Sequence, residues 1–350
     1  MIRQENKMKT KVCRLAAAAL AASLAVLSSG CQIGGEKVTI SRGMSENEVF
    51  LVSGKSCKLP VMKLLLVNNI NLYGDSYGIN LVKNEDLKVQ KKFGQFVKKI
   101  CIDEAAKVYT MDALADEKGV ALNDTQRELV QWAGEDCYKN LSEAEVSALG
   151  LSQDEVVDIY GKYALADKLY ATLIADVNQE VSDDEARVME IRQIYVKDEA
   201  QAQQAYSELQ EETEFSTVAA NYNEADEISL TVERGMLPEE AEAVAFAMED
   251  GTYSQPVQTP DGYYIFYCDN KYDEELTQQH KQDIIEQRRQ DAFDAEYDPF
   301  VAKTTSKLNE KVWNNLSIQD LEQYSFAQFY EIYDKYFSEI DWVSEDTATS

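Results

Sequence analysis

Gly251-Thr252-Tyr253-Ser254-Gln255-Pro256-Val257, followed by Pro260-Asp261-Gly262-Tyr263-Tyr264-Ile265-Phe266-Tyr267-Cys268, is the stretch of this 350-residue chain that decides the fold. Gly251 suits the left-handed end of a helix, where a side chain would be strained. Pro256 lies beside a short strand that tolerates a missing donor. Pro260-Asp261-Gly262 makes a turn, and 263–268 alternates two packable faces of a strand. Read backwards from there, hydrophobic periodicity assigns a helix to 238–249, a strand to 228–233, a short helix to 215–222, an amphipathic helix to 200–211 and a strand to 189–196. The result is an alternating α+β unit over 182–272.

On both sides of this unit the pattern turns helical. Between 59 and 181, Ser142 with Glu145, Ser152 with Glu155, and Ser182 with Glu185 fit the capping box, so three helices are expected to start there. Val89, Phe93, Phe96, Val97 and Ile100 recur at helical spacing with lysines between them, giving an apolar stripe read as core and a basic face. Residues 49–58 read as a short strand and turn leading into the helices. After 274 a long charged helix is expected to about 311, then a second at 317–337, rich in aromatics: Phe326, Phe329, Tyr330, Tyr333, Tyr336 and Phe337. Those rings are either core or contacts for other polypeptides. The tail at 344–350 is polar.

The first thirty residues have the three parts of an export signal: basic Arg3, Lys7, Lys9, Lys11 and Arg14, an apolar run at 15–27, and small residues before Cys31. The apolar run is too short to cross a bilayer as a helix. Met8 as the start would set the basic residues directly against it. Leu27-Ser28-Ser29-Gly30-Cys31 resembles the lipobox of bacterial lipoproteins, with Ser28 in the place usually taken by an apolar residue. The expectation is cleavage after residue 30 and lipidation of Cys31, leaving the mature chain anchored on the outer face of a membrane.

Loss of residues 1–30 removes five basic groups and one acidic group, which takes the formal net charge from −29 to −33. Residues 36–110 hold twelve Lys or Arg against eight Asp or Glu, and 111–350 hold 17 against 54. A nucleic-acid partner is disfavoured, because phosphates would be repelled by most of this surface. Cys57, Cys101, Cys137 and Cys268 lack the short spacings of a zinc site or redox dithiol, and stand as either buried free thiols or one of three disulfide pairings. With a single histidine, His280, read as a surface residue, no nucleophile, base and orienting acid can be assembled, so a hydrolase is disfavoured. No metal or other cofactor is expected. A solute-binding lipoprotein needs two α/β lobes, and only one short α+β unit is present.

Phe215-Ser216-Thr217-Val218-Ala219, Gly235-Met236-Leu237-Pro238, Ala245-Phe246-Ala247-Met248, the Gly251–Val257 run and Gly262-Tyr263-Tyr264-Ile265 resemble, in order and spacing, the parvulin (PpiC-type) rotamase family. Helical segments on both sides resemble the PrsA and SurA type of extracytoplasmic foldase. That resemblance implies an α+β chain with a signal segment at 1–30, a helical chaperone segment at 31–181, a parvulin-like domain at 182–272 and a second helical segment at 273–350 packing with the first. It also implies a proline groove with a histidine on its first strand and another on its last. Gln193 and Tyr264 occupy those two positions here, where they can bond to each other or to a peptide carbonyl. Met236 matches the pocket methionine, Phe246 lies in the groove, Ala241 stands where an aromatic is common, and Asp226 is the candidate polar residue after the second helix. Two functions stay open: a membrane-tethered foldase that isomerises X-Pro bonds in secreted polypeptides, or a holdase that keeps the rotamase fold as a peptide-binding module.

Overall fold

The computed structural model describes residues 32–33, 36–40, 43–77 and 87–343. Cys31, the export segment and the polar tail lie outside the described residues. The protein is α+β, and it divides into two compact units. One comprises the described residues up to Ala175 with those from Phe293 on; the other is Asp176–Ala292.

The first unit begins with β1 (Gln32–Ile33), β2 (Glu36–Ile40) and the hairpin β3 (Glu48–Val52) and β4 (Lys55–Lys58). Ser53 and Gly54 make the two-residue turn, both at positive φ, the geometry that matches the twist of the paired strands. Five helices follow: α1 (Leu59–Tyr77), α2 (Leu87–Lys118), α3 (Asp124–Asn140), α4 (Glu143–Leu149) and α5 (Gln153–Leu173). Val61, Met62, Leu64, Leu65, Leu66 and Val67 of α1 are buried in succession, so this helix is apolar on nearly every side and sits in the core. Ser142 and Ser152 form reciprocal capping boxes with Glu145 and Glu155, and Asn123 with Gln126 forms a third at the start of α3. At Ser182 the cap bond from the Glu185 amide also forms, at 3.1 Å, yet the chain makes a turn and no helix. A strand begins at Met189, and the few residues between cannot repay helix nucleation.

The second unit runs β5 (Met189–Val196), α6 (Glu199–Gln210), α7 (Phe215–Tyr222), β6 (Ser229–Val232), α8 (Glu239–Ala245), β7 (Val257–Thr259) and β8 (Gly262–Asn270). The strands form an antiparallel sheet in the order β6-β5-β8-β7. Strand alternation separates its faces. Ile194, Val196 and Ile265 pack under α6 and α7 with Leu209, Phe215 and Val218. Met189, Ile191, Phe266 and Cys268 point the other way, toward Ala241, Ala245 and Phe246 around α8. Gly262 is required where β8 starts: a Cβ there would sit 2.6 Å from the Val196 carbonyl oxygen and 2.8 Å from the Tyr195 ring.

The chain then enters α9 (Glu274–Lys303), whose final turns return to the first unit, where Phe293, Tyr297 and Phe300 pack with Leu114, Ala115 and Leu169. The helix stops at Lys303 and not near 311, because Ser306–Leu308 forms β9, inserted parallel to β2 and antiparallel to β3. After α10 (Glu310–Asn315), the expected helix at 317–337 is confined to α11 (Phe329–Phe337). The Glu145 carboxylate accepts from the Ser325 and Phe326 amides at 3.1 and 3.0 Å, and Asn68 Oδ1 accepts from Phe329 at 2.9 Å. Amides bonded to side chains of other helices are not contributing to a helix of their own. The aromatic stripe is core: Phe326, Phe329, Tyr333 and Phe337 are buried, Tyr330 and Tyr336 half-buried. Four thiols, Cys57, Cys101, Cys137 and Cys268, are free and buried.

Candidate functional site

The face of the sheet opposite α6 and α7 carries the residues singled out from the sequence. Gln193 and Tyr195 lie two apart on β5, on the same face, and Tyr264 and Phe266 do the same on β8. Register pairs Gln193 with Phe266 and Tyr195 with Tyr264, so the four side chains form one patch across the central strands. The Tyr264 ring lies between Tyr195, at 4.9 Å and 42°, and Phe266, at 5.6 Å and nearly parallel.

Gln193 and Tyr264 do not bond to each other. Gln193 is buried and its carboxamide donates to the Glu227 carbonyl at 2.9 Å, while its backbone amide donates to the Ile228 carbonyl at 2.7 Å. It therefore ties the loop before β6 to the sheet. The Tyr264 hydroxyl makes no hydrogen bond among the described residues. Burial, reinforced by the neighbouring Tyr195 and Asp261, holds its pKa above the ordinary phenol value, so it remains a protonated donor.

The other candidates fall around this patch. Met236 is 60 % exposed on the turn after β6, and its sulfur accepts from the Glu233 amide. Phe246 is buried, with the guanidinium groups of Arg187 and Arg234 4.9 and 4.4 Å from its ring centroid. Arg187 also donates to the Phe246 carbonyl, and Arg234 is held by Asp184. Ala241 is buried beneath the same cluster. Asp226 is exposed.

Three contributors were not anticipated. Asn223 accepts from the Tyr195 amide at 2.9 Å and donates to Ala225, fixing the loop that leads to Asp226. Ser254 is buried and accepts from the Phe266 amide at 2.9 Å, which locks the Tyr253–Val257 segment to β8. His280, read as a surface residue, is in fact half-buried on α9, with Nδ1 3.0 Å from the Ala186 carbonyl and Nε2 3.3 Å from Glu233. An Asn just past a helix end is a faint sequence signal for the first; the other two depend on distant segments and left none. Among the described residues no cluster of side chains has metal-ligand character.

A four-stranded antiparallel sheet with helices on one face and a short helix beside a half-buried aromatic patch on the other defines a parvulin-type unit. Residues 177–278 match the family model of the PPIC-type PPIASE domain, and this part of the chain is a parvulin rotamase domain. Solved structures similar to the chain include the PrsA peptidylprolyl isomerase of Bacillus cereus, 19% identical, covering 82% of this chain and 99% of that one at a TM-score of 0.31. Another is the PrsA foldase of Streptococcus pneumoniae, at 16% identity, 69% and 97% coverage and a TM-score of 0.30. A third belongs to the SurA-like chaperones PEB4 and Cj1289 of Campylobacter jejuni, at 11% identity, 75% and 98% coverage and a TM-score of 0.26. No curated protein matches the chain in sequence.

Proposed function

We propose that this protein is a foldase of the extracytoplasmic space, anchored through lipid on Cys31, whose parvulin domain binds X-Pro segments of secreted polypeptides and accelerates their isomerisation. The observation that carries the reading is the Tyr264 hydroxyl, a donor without a partner at the centre of the aromatic patch. The reaction breaks no bond; its barrier of about 20 kcal/mol is the loss of amide conjugation. As the amide twists, the prolyl nitrogen regains its lone pair, and a donor that bonds to it in that state alone lowers the barrier. One such bond is worth about 1 kcal/mol, or about fivefold in rate. Tyr195 and Met236 supply apolar surface for the proline ring, and buried Phe266 backs the Tyr264 ring from behind. In this reading 31–181 and 273–350 form the chaperone domain around the rotamase domain, and Asp226 borders the groove.

A second reading, a holdase using the domain only to bind peptide, is favoured by one feature: the Gln193 side chain is buried and one N–H of its carboxamide is committed to the Glu227 carbonyl. Exchange NMR on a short X-Pro peptide with residues 32–350 separates the two. The foldase reading expects exchange above background, reduced about fivefold in Tyr264→Phe and raised in Gln193→His with Tyr264→His. Exchange at background, with client aggregation still suppressed, would establish the holdase. The anchor is tested separately: Cys31→Ala should move the protein from the membrane fraction to the soluble one.

A further inference from the structure

We propose that His280 is a positioning residue: as an imidazolium it clamps Glu233 to the segment before β5, Glu233 fixes the turn that presents Met236, and loss of a proton from the ring loosens the proline groove. The effect on the groove rests on the reading of the aromatic patch as an X-Pro site; the clamp does not. His280 is the chain's only histidine, and it lies just beyond the 177–278 span that matches the PPIC-type domain. Both of its ring nitrogens face acceptors. Nδ1 is 3.0 Å from the Ala186 carbonyl oxygen, which can only accept, so Nδ1 carries a hydrogen. Nε2 is 3.3 Å from a Glu233 carboxylate oxygen, which accepts as well. A neutral imidazole has a single N–H, and with that one spent on Ala186 its remaining lone pair would face the carboxylate. The two contacts are both bonds only when the ring holds its second proton, and histidine exchanges that proton in the physiological pH range.

The carboxylate it grips belongs to the turn after β6. The Glu233 amide donates to Met236 Sδ at 3.3 Å, and the Glu233 carbonyl accepts from the Met236 amide at 3.3 Å. Met236, 60 % exposed, is thus bonded twice to the residue that His280 holds. The other carboxylates of the segments around the ring pair with lysine or arginine: Asp183 with Lys281, Asp184 with Arg187 and Arg234, Glu185 with Arg288, and Glu242 with Arg234. Asp283, one turn along α9, is exposed. Glu233 has the imidazole as its only ion-pair partner among the described residues. Lysine and arginine keep their charge above neutral pH, whereas an imidazole does not. The tie next to Met236 is therefore the one in this corner that proton loss releases.

The test is NMR of isotope-labelled methionine methyls in residues 32–350 at pH 5.5 and pH 8, with Met236→Leu to assign the signal and a short X-Pro peptide titrated at each pH. At pH 8 the Met236 methyl is expected to move toward its free-chain position and peptide affinity to fall about threefold. The buried Met189 and Met248 of the same unit should stay in place. His280→Ala should show the pH 8 behaviour at both values. Glu233→Gln should show the pH 5.5 behaviour at both, because a carboxamide accepts from the imidazolium and donates to the neutral ring. Asp167, with its pKa of about 6, titrates in the same range in the helical unit, but it is present in every variant and cannot account for a difference among them. A Met236 methyl that ignores pH in the native chain, or follows it equally in His280→Ala or Glu233→Gln, would overturn the clamp. A methyl that follows pH as described, in a chain that binds no peptide at either value, would uphold the clamp and remove the X-Pro reading of the patch.

Discussion

Asp176–Ala292 holds 29 Asp or Glu against eight Lys or Arg, and not one of those carboxylates is buried. The helical unit is less acidic but takes its charges inside. Asp112 is 5 % exposed between Lys55 and Lys162, at 2.8 and 3.1 Å. Glu104 accepts from Tyr163 and Tyr330, both at 2.8 Å, and Asp167 accepts from Tyr333 at 2.6 Å. The number of charges says little about their weight. In the rotamase unit they act on one another through water and salt. In the helical unit they stitch α11 to α2 and α5 through tyrosine hydroxyls, where desolvation magnifies every bond and every missing one.

The comparison assumes that the two units can be perturbed one at a time, and two glycines provide the strongest way to break it. A Cβ on Gly134 would lie 2.6 Å from Val157 Cα, at the crossing of α3 and α5. Alanine gains about 1 kcal/mol in helix propensity over glycine, but forcing two backbones apart costs up to about 3, so Gly134→Ala should lose about 2 kcal/mol. Gly262→Ala should cost the rotamase unit a similar amount against the Val196 carbonyl. The three tryptophans, Trp132, Trp313 and Trp342, all belong to the helical unit. Denaturant unfolding followed by tryptophan fluorescence should therefore shift in Gly134→Ala and not in Gly262→Ala, while amide exchange on β5 and β8 should report the reverse. A shift of both probes in both variants would mean that the units unfold as one.

Acid should sharpen the contrast. Burial pushes the Asp167 pKa up to about 6, with nearby Asp334 adding to the rise and the Tyr333 bond opposing it. Burial likewise raises Glu104. In the unfolded chain both titrate near 4, so the fold binds these protons more tightly, and the contribution is complete below that value and lost as pH rises through about 6. Lowering pH from 7.5 to 5 should thus stabilise the helical unit, by about 1.4 kcal/mol from Asp167. Glu145 acts oppositely: despite burial, its bonds from Ser142, Phe326 and Ser325 hold it below the ordinary range, so its contribution is lost only at lower pH. Asp167→Asn keeps an acceptor for Tyr333, and should raise stability at pH 7.5 while flattening the slope between 7.5 and 5. An unchanged slope would place the effect elsewhere.

The same division marks what could be read from the sequence. Locally encoded features were legible: β5 at 189–196, α7 at 215–222, the caps at Ser142 and Ser152, and the order of pieces that resembles parvulins. What failed was decided by distant partners. The α11 boundary depends on Asn68 and Glu145 capturing amides near Phe329, and β9 on slots offered by β2 and β3. At the groove, the positions of Gln193 and Tyr264 could be named, but not their states. One carboxamide is tied to a carbonyl 34 residues on and one hydroxyl is open, and only the folded loop decides that.

Salt should produce the smallest effect and the most specific. Glu211, Glu212 and Glu214 stand exposed at the end of α6, where the helix dipole already disfavours negative charge, and no Lys or Arg pairs with them among the described residues. Screening between 0.05 and 0.5 M salt should relieve this repulsion, although it also weakens favourable pairs such as Arg192 with Asp269 at 2.7 Å. Exposed pairs contribute about 0.5 kcal/mol or less each, and with 29 acidic groups to eight basic ones the repulsion outweighs them. Exchange protection of Ile194 and Ile265 should therefore increase with salt, by about 0.5 kcal/mol. Glu211→Lys with Glu212→Lys should give part of that gain at low salt and flatten the slope. The buried Glu104 and Asp167 contacts of the helical unit should scarcely respond, since salt does not reach them. An equal response in both units would mean that buried and exposed charge are not separated as the side-chain positions require.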